Sequence, residues 1–192
     1  KYLVRRIFFL LFTGLFCNFV SLGHNMNKSP ITTQLDSFDF AILQILQNDN
    51  TIPQREIGIA VNLSAAAVQR RIKRMEENGI IKSNIAVLDP TKVGQPITIF
   101  VEVEVESEKF ELIDKTKKVF ASYPEVQQCY YVTGEMDFIL IIVVPSMVAY
   151  EQLTKKLFFD NANVKRFRTF VTMDRVKVGL TIPISVKKQQ SK

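Results

Sequence analysis

The sequence predicts an α+β chain of two domains: a small N-terminal winged helix-turn-helix and a larger C-terminal βαββαβ unit. Three observations carry this. Short amphipathic helical patterns crowd between residues 35 and 78. A link marked by Pro90 and Gly94-Gln95-Pro96 follows. From Ile97 onward, period-two alternation takes turns with stripes of period 3.6.

The first helix opens at Leu35-Asp36-Ser37-Phe38-Asp39-Phe40, where Asp36 is the N-cap and Leu35 and Phe40 are spaced as a hydrophobic staple. Phe38, Ile42, Ile45 and Leu46 continue its apolar stripe. A second short helix begins around Pro53, whose missing N–H is tolerated in a first turn. Asn62-Leu63-Ser64 makes a tight turn, and Ser64 caps a third helix that ends at Gly79. In that helix Val68, Ile72 and Met75 form the buried stripe. Gln69, Arg70, Lys73 and Arg74 fall on the opposite side, with Arg71 flanking the stripe and suited to bracing the fold. Ala65, Ala66 and Ala67 leave the first turn bare. Most cationic helix faces are simply solvated, but a short capped helix entered through a tight turn is the arrangement that a major groove admits. Ile80–Leu88 then has the pattern of a wing or connecting strand.

Charge adds little to this reading. The net charge is +6, but residues 1–34 hold four basic residues and no acidic one, and residues 35–94 hold seven of each. Residues 95–192 hold fourteen basic and twelve acidic residues. The helical segment is therefore neutral as a whole, and only the cluster from Arg70 to Arg74 favours phosphate contact. Cys17, Cys129 and His24 give neither a disulfide framework nor metal-ligand spacing nor a nucleophile–base pair, and a reducing, cytosolic setting fits. No catalytic residue, metal or cofactor is expected.

Residues 1–25 have the outline of a secretory signal: Lys1, Arg5 and Arg6, then an apolar run from Ile7 to Val20. The run is short for a membrane span, which takes about 20 residues. Met26 is read as the start, residues 1–25 as an upstream extension or one added in cloning, and a membrane tether as the alternative. Residues 26–34 form a flexible lead, 35–88 the helix-turn-helix domain, 89–96 a linker, 97–186 the second domain and 187–192 a polar tail.

In the second domain, Ile97, Ile99, Val101, Val103 and Val105 point one way, and Thr98, Glu102, Glu104 and Glu106 the other, with Phe100 the exception. Leu112, Ile113, Thr116, Val119 and Phe120 give a helical face, and Val126–Val132 a strand. Thr133–Asp137 is a turn, and Phe138–Val144 a strand buried on both faces. Met147, Tyr150, Leu153 and Leu157 mark a second helix, which Asn161-Ala162-Asn163 breaks before a long final strand, Val164–Val178. This order is that of ferredoxin-like folds. Two helices cover one face of such a sheet, and the open apolar face is expected to make a homodimer.

From Leu35 to about Val186 the chain resembles the leucine-responsive/asparagine-synthesis (Lrp/AsnC) family of transcription regulators. The resemblance rests on Leu35-Asp36 with Ile42, Leu43 and Leu46, on Leu63-Ser64, and on Arg71–Glu76 with Gly79-Ile80-Ile81. It continues through Asp89-Pro90 and Gly94 to Val132–Asp137 and Val171–Val178. Two departures are Gly58, where the family usually has Ala, and Met75, where it usually has Leu.

The resemblance implies a sequence-specific regulator of double-stranded DNA whose dimers assemble further, often to octamers, and bind an amino-acid effector between dimers. DNA contact then falls to Ser64, Ala65, Ala66, Gln69, Arg70, Lys73 and Arg74. Effector contact falls to Tyr131, Thr133, Gly134 and Asp137, joined by Met147, Phe170 and Thr172. Gly134 lets backbone amides approach a carboxylate, and Asp137 can pair with an α-ammonium group. Without the resemblance, Gly134 and Asp137 read simply as a hairpin turn. The competing class is a stand-alone amino-acid sensor or an enzyme-associated ferredoxin-like module without specific DNA binding.

Overall fold

The structure is a computed structural model that describes residues 35–184. The expectations for residues 1–34 and the polar tail lie outside these residues. The chain forms two compact units that divide after Ser83 and after Thr181. Residues 84–181 make one unit, and 182–184 group with the helices rather than with the sheet.

Among the described residues, three helices lie in the first unit: α1 (Ser37–Asn48), α2 (Gln54–Val61) and α3 (Ala65–Glu77). Their core is Ile42, Ile57, Val61, Val68 and Met75, with Leu35, Ile45, Leu46, Leu63 and Ile72 packed against it. Local sequence closes four of these helix ends. Asp36 accepts from the Asp39 N–H at 2.9 Å, and Asp39 returns the bond from the Asp36 N–H at 3.1 Å, a capping box with Asp in place of the usual Glu. Pro53 is itself the N-cap of α2, one position earlier than a first-turn proline. Asn62, in the left-handed region at φ 57°, stops α2, and the Leu63 N–H reaches back to the Gly58 carbonyl at 2.8 Å. Ser64 caps α3 through the Ala67 N–H, and Gly79 (φ 69°) closes it as expected.

Ile80–Leu88 forms no strand. A wing needs a partner ladder, and the described chain offers none to this segment. Ile85, Val87 and Leu88 stay exposed.

The second unit contains β1 (Ile97–Val105), α4 (Phe110–Ala121), β2 (Val126–Tyr131), β3 (Phe138–Val144), α5 (Met147–Thr154) and β4 (Val164–Val171). The sheet order is β2-β3-β1-β4, with every pairing antiparallel, which is the expected βαββαβ topology. A π-helical turn, Lys155–Phe159, extends α5 and sets both Leu157 and Phe158 inward. The core joins Ile99, Val101, Val103, Phe138, Leu140 and Ile142 to Ile113, Phe120, Tyr150 and Leu153 from the helices. Phe120 meets Phe138 edge-on at 5.4 Å between ring centroids.

Two strand expectations change. β3 is buried on one face only: Phe138, Leu140, Ile142 and Val144 are inside, whereas Ile139, Ile141 and Val143 are half-buried on the other side. The final strand stops at Val171 rather than Val178. Its pairing with β1 ends with Val171 opposite Ile99; β1 runs only two residues further, to Ile97, and Thr172 adds one bond, from its N–H to the Thr98 carbonyl.

Candidate DNA-binding face and effector residues

The exposed side of α3 has fewer unengaged cations among the described residues than its sequence suggests. Ser64, Ala65, Ala66, Gln69, Arg70 and Lys73 are all exposed. Arg70 and Gln69 make no side-chain hydrogen bond or ion pair with the described residues. Lys73 has only Glu77 one turn on, 3.8 Å away.

Arg71 and Arg74 are occupied. Arg71 Nη1 lies 2.8 Å from Oδ2 of Asp36 and 2.8 Å from Oδ1 of Asp39, with its guanidinium 5.5 Å from the centre of the Phe38 ring. Arg74 Nη2 donates to Asp39 Oδ2 at 2.6 Å. Asp39 is fully buried. Burial raises the Asp36 carboxyl, but the Asp39 amide and the Arg71 guanidinium outweigh it and hold the group below the ordinary range. Arg71 therefore braces the helices, as its place beside the apolar stripe implies. Arg74, expected on DNA, is tied to the same buried carboxylate.

Composition gave no hint of Asp39. Its signal is positional: an acid at the third residue of a capped helix, facing a basic pair on a helix that packs beside it.

The other expected site residues do not converge within one chain. Tyr131, Thr133 and Gly134 lie exposed at the end where β2 meets β3. Gly134 has φ 140°, and a Cβ there would meet nothing, so the backbone rather than space demands glycine. The Lys117 ammonium sits 4.7 Å from the centre of the Tyr131 ring. Asp137 is buried and already engaged: its Oδ2 accepts the Val105 N–H at 2.8 Å, and its own N–H donates to the Val103 carbonyl. That carboxylate ties the loop to the end of β1, which leaves Oδ1 as the oxygen for any ammonium.

Met147 begins α5 beyond the far end of β3, about 20 Å away at ~3.4 Å per strand residue. Phe170 stands opposite Phe100 on the open face of the sheet. Thr172 lines a groove of about 650 Å³ with Thr98, Asp89 and Arg175 among others. The hydroxyls of Thr98 and Thr172 are buried there with no partner among the described residues.

That open face carries cross-strand rows. Ile141, Phe100 and Phe170 form one, and Tyr130, Ile139, Glu102 and Arg168 another. At its edge Glu104, 7% exposed, accepts from Lys165 Nζ at 2.7 Å and from Arg166 Nε.

A capped helix-turn-helix with a cationic face, joined to a separate α/β unit, defines a DNA-binding transcriptional regulator. Residues 35–82 match the profile of a winged helix-turn-helix DNA-binding domain, and residues 98–182 that of the Lrp/AsnC ligand binding domain. An HTH-type transcriptional regulator from Sinorhizobium fredii is 39% identical over 80% of this chain and 90% of its own length. The leucine-responsive regulatory protein of Klebsiella pneumoniae is 31% identical over 80% and 93%. The AsnC family regulator of Agrobacterium tumefaciens superposes with a TM-score of 0.72 at 32% identity, over 78% of this chain and 97% of that one. A Neisseria meningitidis regulator solved as its L-methionine complex gives 0.71 at 26% identity, over 78% and 96%. The chain belongs to the Lrp/AsnC family of transcriptional regulators. No helix among the described residues is long and apolar enough to cross a membrane.

Proposed function

We propose that this regulator binds DNA as a homodimer, with α3 of each copy in the major groove, and that an amino acid bound between subunits adjusts its assembly. The observation that carries the DNA contact is the division of labour on α3. Arg71 and Arg74 are held by Asp36 and Asp39, while Gln69, Arg70 and Lys73 remain available beside the bare Ser64–Ala66 turn. Arg70 and Lys73 neutralise phosphates, and Gln69 has the length to reach a base edge. Arg74 supports these contacts by holding the helix.

The open sheet face supports dimerisation. Phe100, Ile139, Ile141, Val143 and Phe170 make a contiguous apolar surface, rimmed by the paired charges of Glu102 with Arg168 and Glu104 with Lys165. The scatter of effector residues within one chain supports a ligand site completed by a second copy. Tyr131, Thr133, Gly134 and Asp137 of one subunit then meet groups of another, with Met147, Phe170 and Thr172 completing the set. The L-methionine complex of the Neisseria meningitidis relative supports an amino acid as the ligand class. A ligand that fits one packing of dimers better than another shifts the population toward it, and octamers are the expected larger form. On this reading the protein is not an enzyme, needs no cofactor or metal, and works in the cytoplasm at the nucleoid.

The test is a gel shift with DNA from upstream of its own gene, repeated across salt concentrations. Binding that weakens steeply as salt rises is the expected result. Absence of binding at low salt would favour a stand-alone sensor.

A further inference from the structure

The chain leaves the helical unit after Ser83 and rejoins it after Thr181, and helix α1 receives it there. Gln47 bonds Ile182 on both sides of the residue: its Oε1 accepts the Ile182 N–H at 2.7 Å, and its Nε2 donates to the Ile182 carbonyl at 3.1 Å. One turn earlier, Gln44 Nε2 donates to the Ile184 carbonyl at 3.0 Å.

The pattern has a simple origin. Ile182 precedes Pro183, which biases it to extended backbone. An extended residue turns its N–H and C=O to the same side, and the residue two positions on shares that side. Gln44 and Gln47, three apart, share one face of α1. A carboxamide is the side chain that accepts and donates at once. The two glutamines thus act toward residues 182–184 as a neighbouring strand would.

Helix α1 is held at both ends for different purposes. Its C-terminal half carries the returning chain, and its N-terminal carboxylates, Asp36 and Asp39, hold Arg71 and Arg74 of α3. We propose that residues 182–184 are a strap, and that Gln44 and Gln47 are positioning residues that fasten it. The DNA-binding unit is then presented by two tethers, residues 84–96 and the strap, instead of one. The inference rests on the proposed reading that two copies of α3 engage one DNA.

The test uses the full chain, its Gln44→Ala/Gln47→Ala double variant, and Gln47→Glu, which keeps the acceptor and loses the donor. Amide exchange at Ile182 should accelerate by on the order of tenfold in the double variant and less in Gln47→Glu. Binding is compared on duplexes of about 12 and about 40 base pairs from upstream of its own gene, which accommodate one and two helix-turn-helix units. The double variant should lose several-fold affinity for the long duplex only. Unchanged Ile182 exchange overturns the strap, and an equal loss on both duplexes overturns the positioning role. A wild-type chain that binds neither duplex overturns the functional reading and the positioning role with it, while the exchange result still decides the strap.

Discussion

Arg74 of α3 reaches Asp39 of α1, with Nη2 2.6 Å from a carboxylate oxygen that is fully buried. Arg71 takes the other oxygen of the same group at 2.8 Å. One carboxylate at the start of the first helix thereby sets the position of the third, so the orientation of the exposed Gln69, Arg70 and Lys73 side chains depends on a buried residue of another helix.

Asp39→Ala should therefore destabilise the helical unit. Removing one partner of a buried ion pair costs about 3–5 kcal/mol when the survivor is trapped. Here both arginines are partly exposed and can find water, so the expected loss is smaller, about 2–3 kcal/mol including the capping-box bond. Denaturant unfolding followed by helical circular dichroism measures it. A loss below about 0.5 kcal/mol, the level of ordinary surface substitutions, would show that the pair does not organise these helices.

Arg70 and Arg74 should part company when each is changed to Ala. Arg70→Ala is expected to leave thermal stability unchanged and to reduce the slope of log affinity against log salt by about one, the share of a single phosphate contact. Arg74→Ala should lower stability first and DNA affinity only as a consequence. Melting curves beside salt-dependent gel shifts separate them. Equal slopes for Arg70→Ala and wild type would remove Arg70 from the interface.

Much of this was legible in the sequence, for a local reason. Helix ends, stripes and strand alternation depend on neighbours within a few residues, so Asp36, Ser64 and Gly79 cap as expected and the βαββαβ order stands. What depended on distant partners was not legible. Arg74 is on the polar side of its helix, and only the packing of α1 shows that Asp39 claims it. Thr172–Val178 has strand-forming residues but no neighbouring strand. Gly58 reads as a loss of helix propensity of about 1 kcal/mol. In the fold, a Cβ there would lie 2.5 Å from the Leu63 carbonyl oxygen, so the turn as it stands in this chain has closed over the glycine and would have to shift to take an alanine. The expected effector residues do not meet within one chain, because Tyr131–Asp137, Met147 and Phe170 fall at different ends and strands of the sheet unit.

Ile141→Lys tests the open face of the sheet. Its side chain stands in the row with Phe100 and Phe170, away from the core on the helix side, so the fold should survive. Burying an unpaired ammonium between two apolar faces is costly enough to disfavour dimerisation. Sedimentation at micromolar concentration should show a monomer with native circular dichroism. A dimer that persists would place the interface elsewhere.

Acid should weaken the sheet unit through Glu104. Hydrogen bonding from Lys165 holds its carboxyl below the usual glutamate range; burial opposes this, and Arg166 adds to the lowering. The folded state thus takes up this proton less readily than the unfolded chain, whose glutamates titrate near about 4.3. The stabilisation is complete above that value and is lost as pH falls through the lowered folded value. Asp36, Asp49 and Asp89 are also lowered, so the whole chain should lose stability on the same side. Glu104→Gln removes one share: it should be less stable than wild type at pH 7, with the gap closing below about pH 4. Unfolding curves from pH 3 to 7, followed by the fluorescence of the tyrosines in the sheet unit, check this. A gap that stays constant with pH would mean that the two cations do not stabilise the ionised carboxylate.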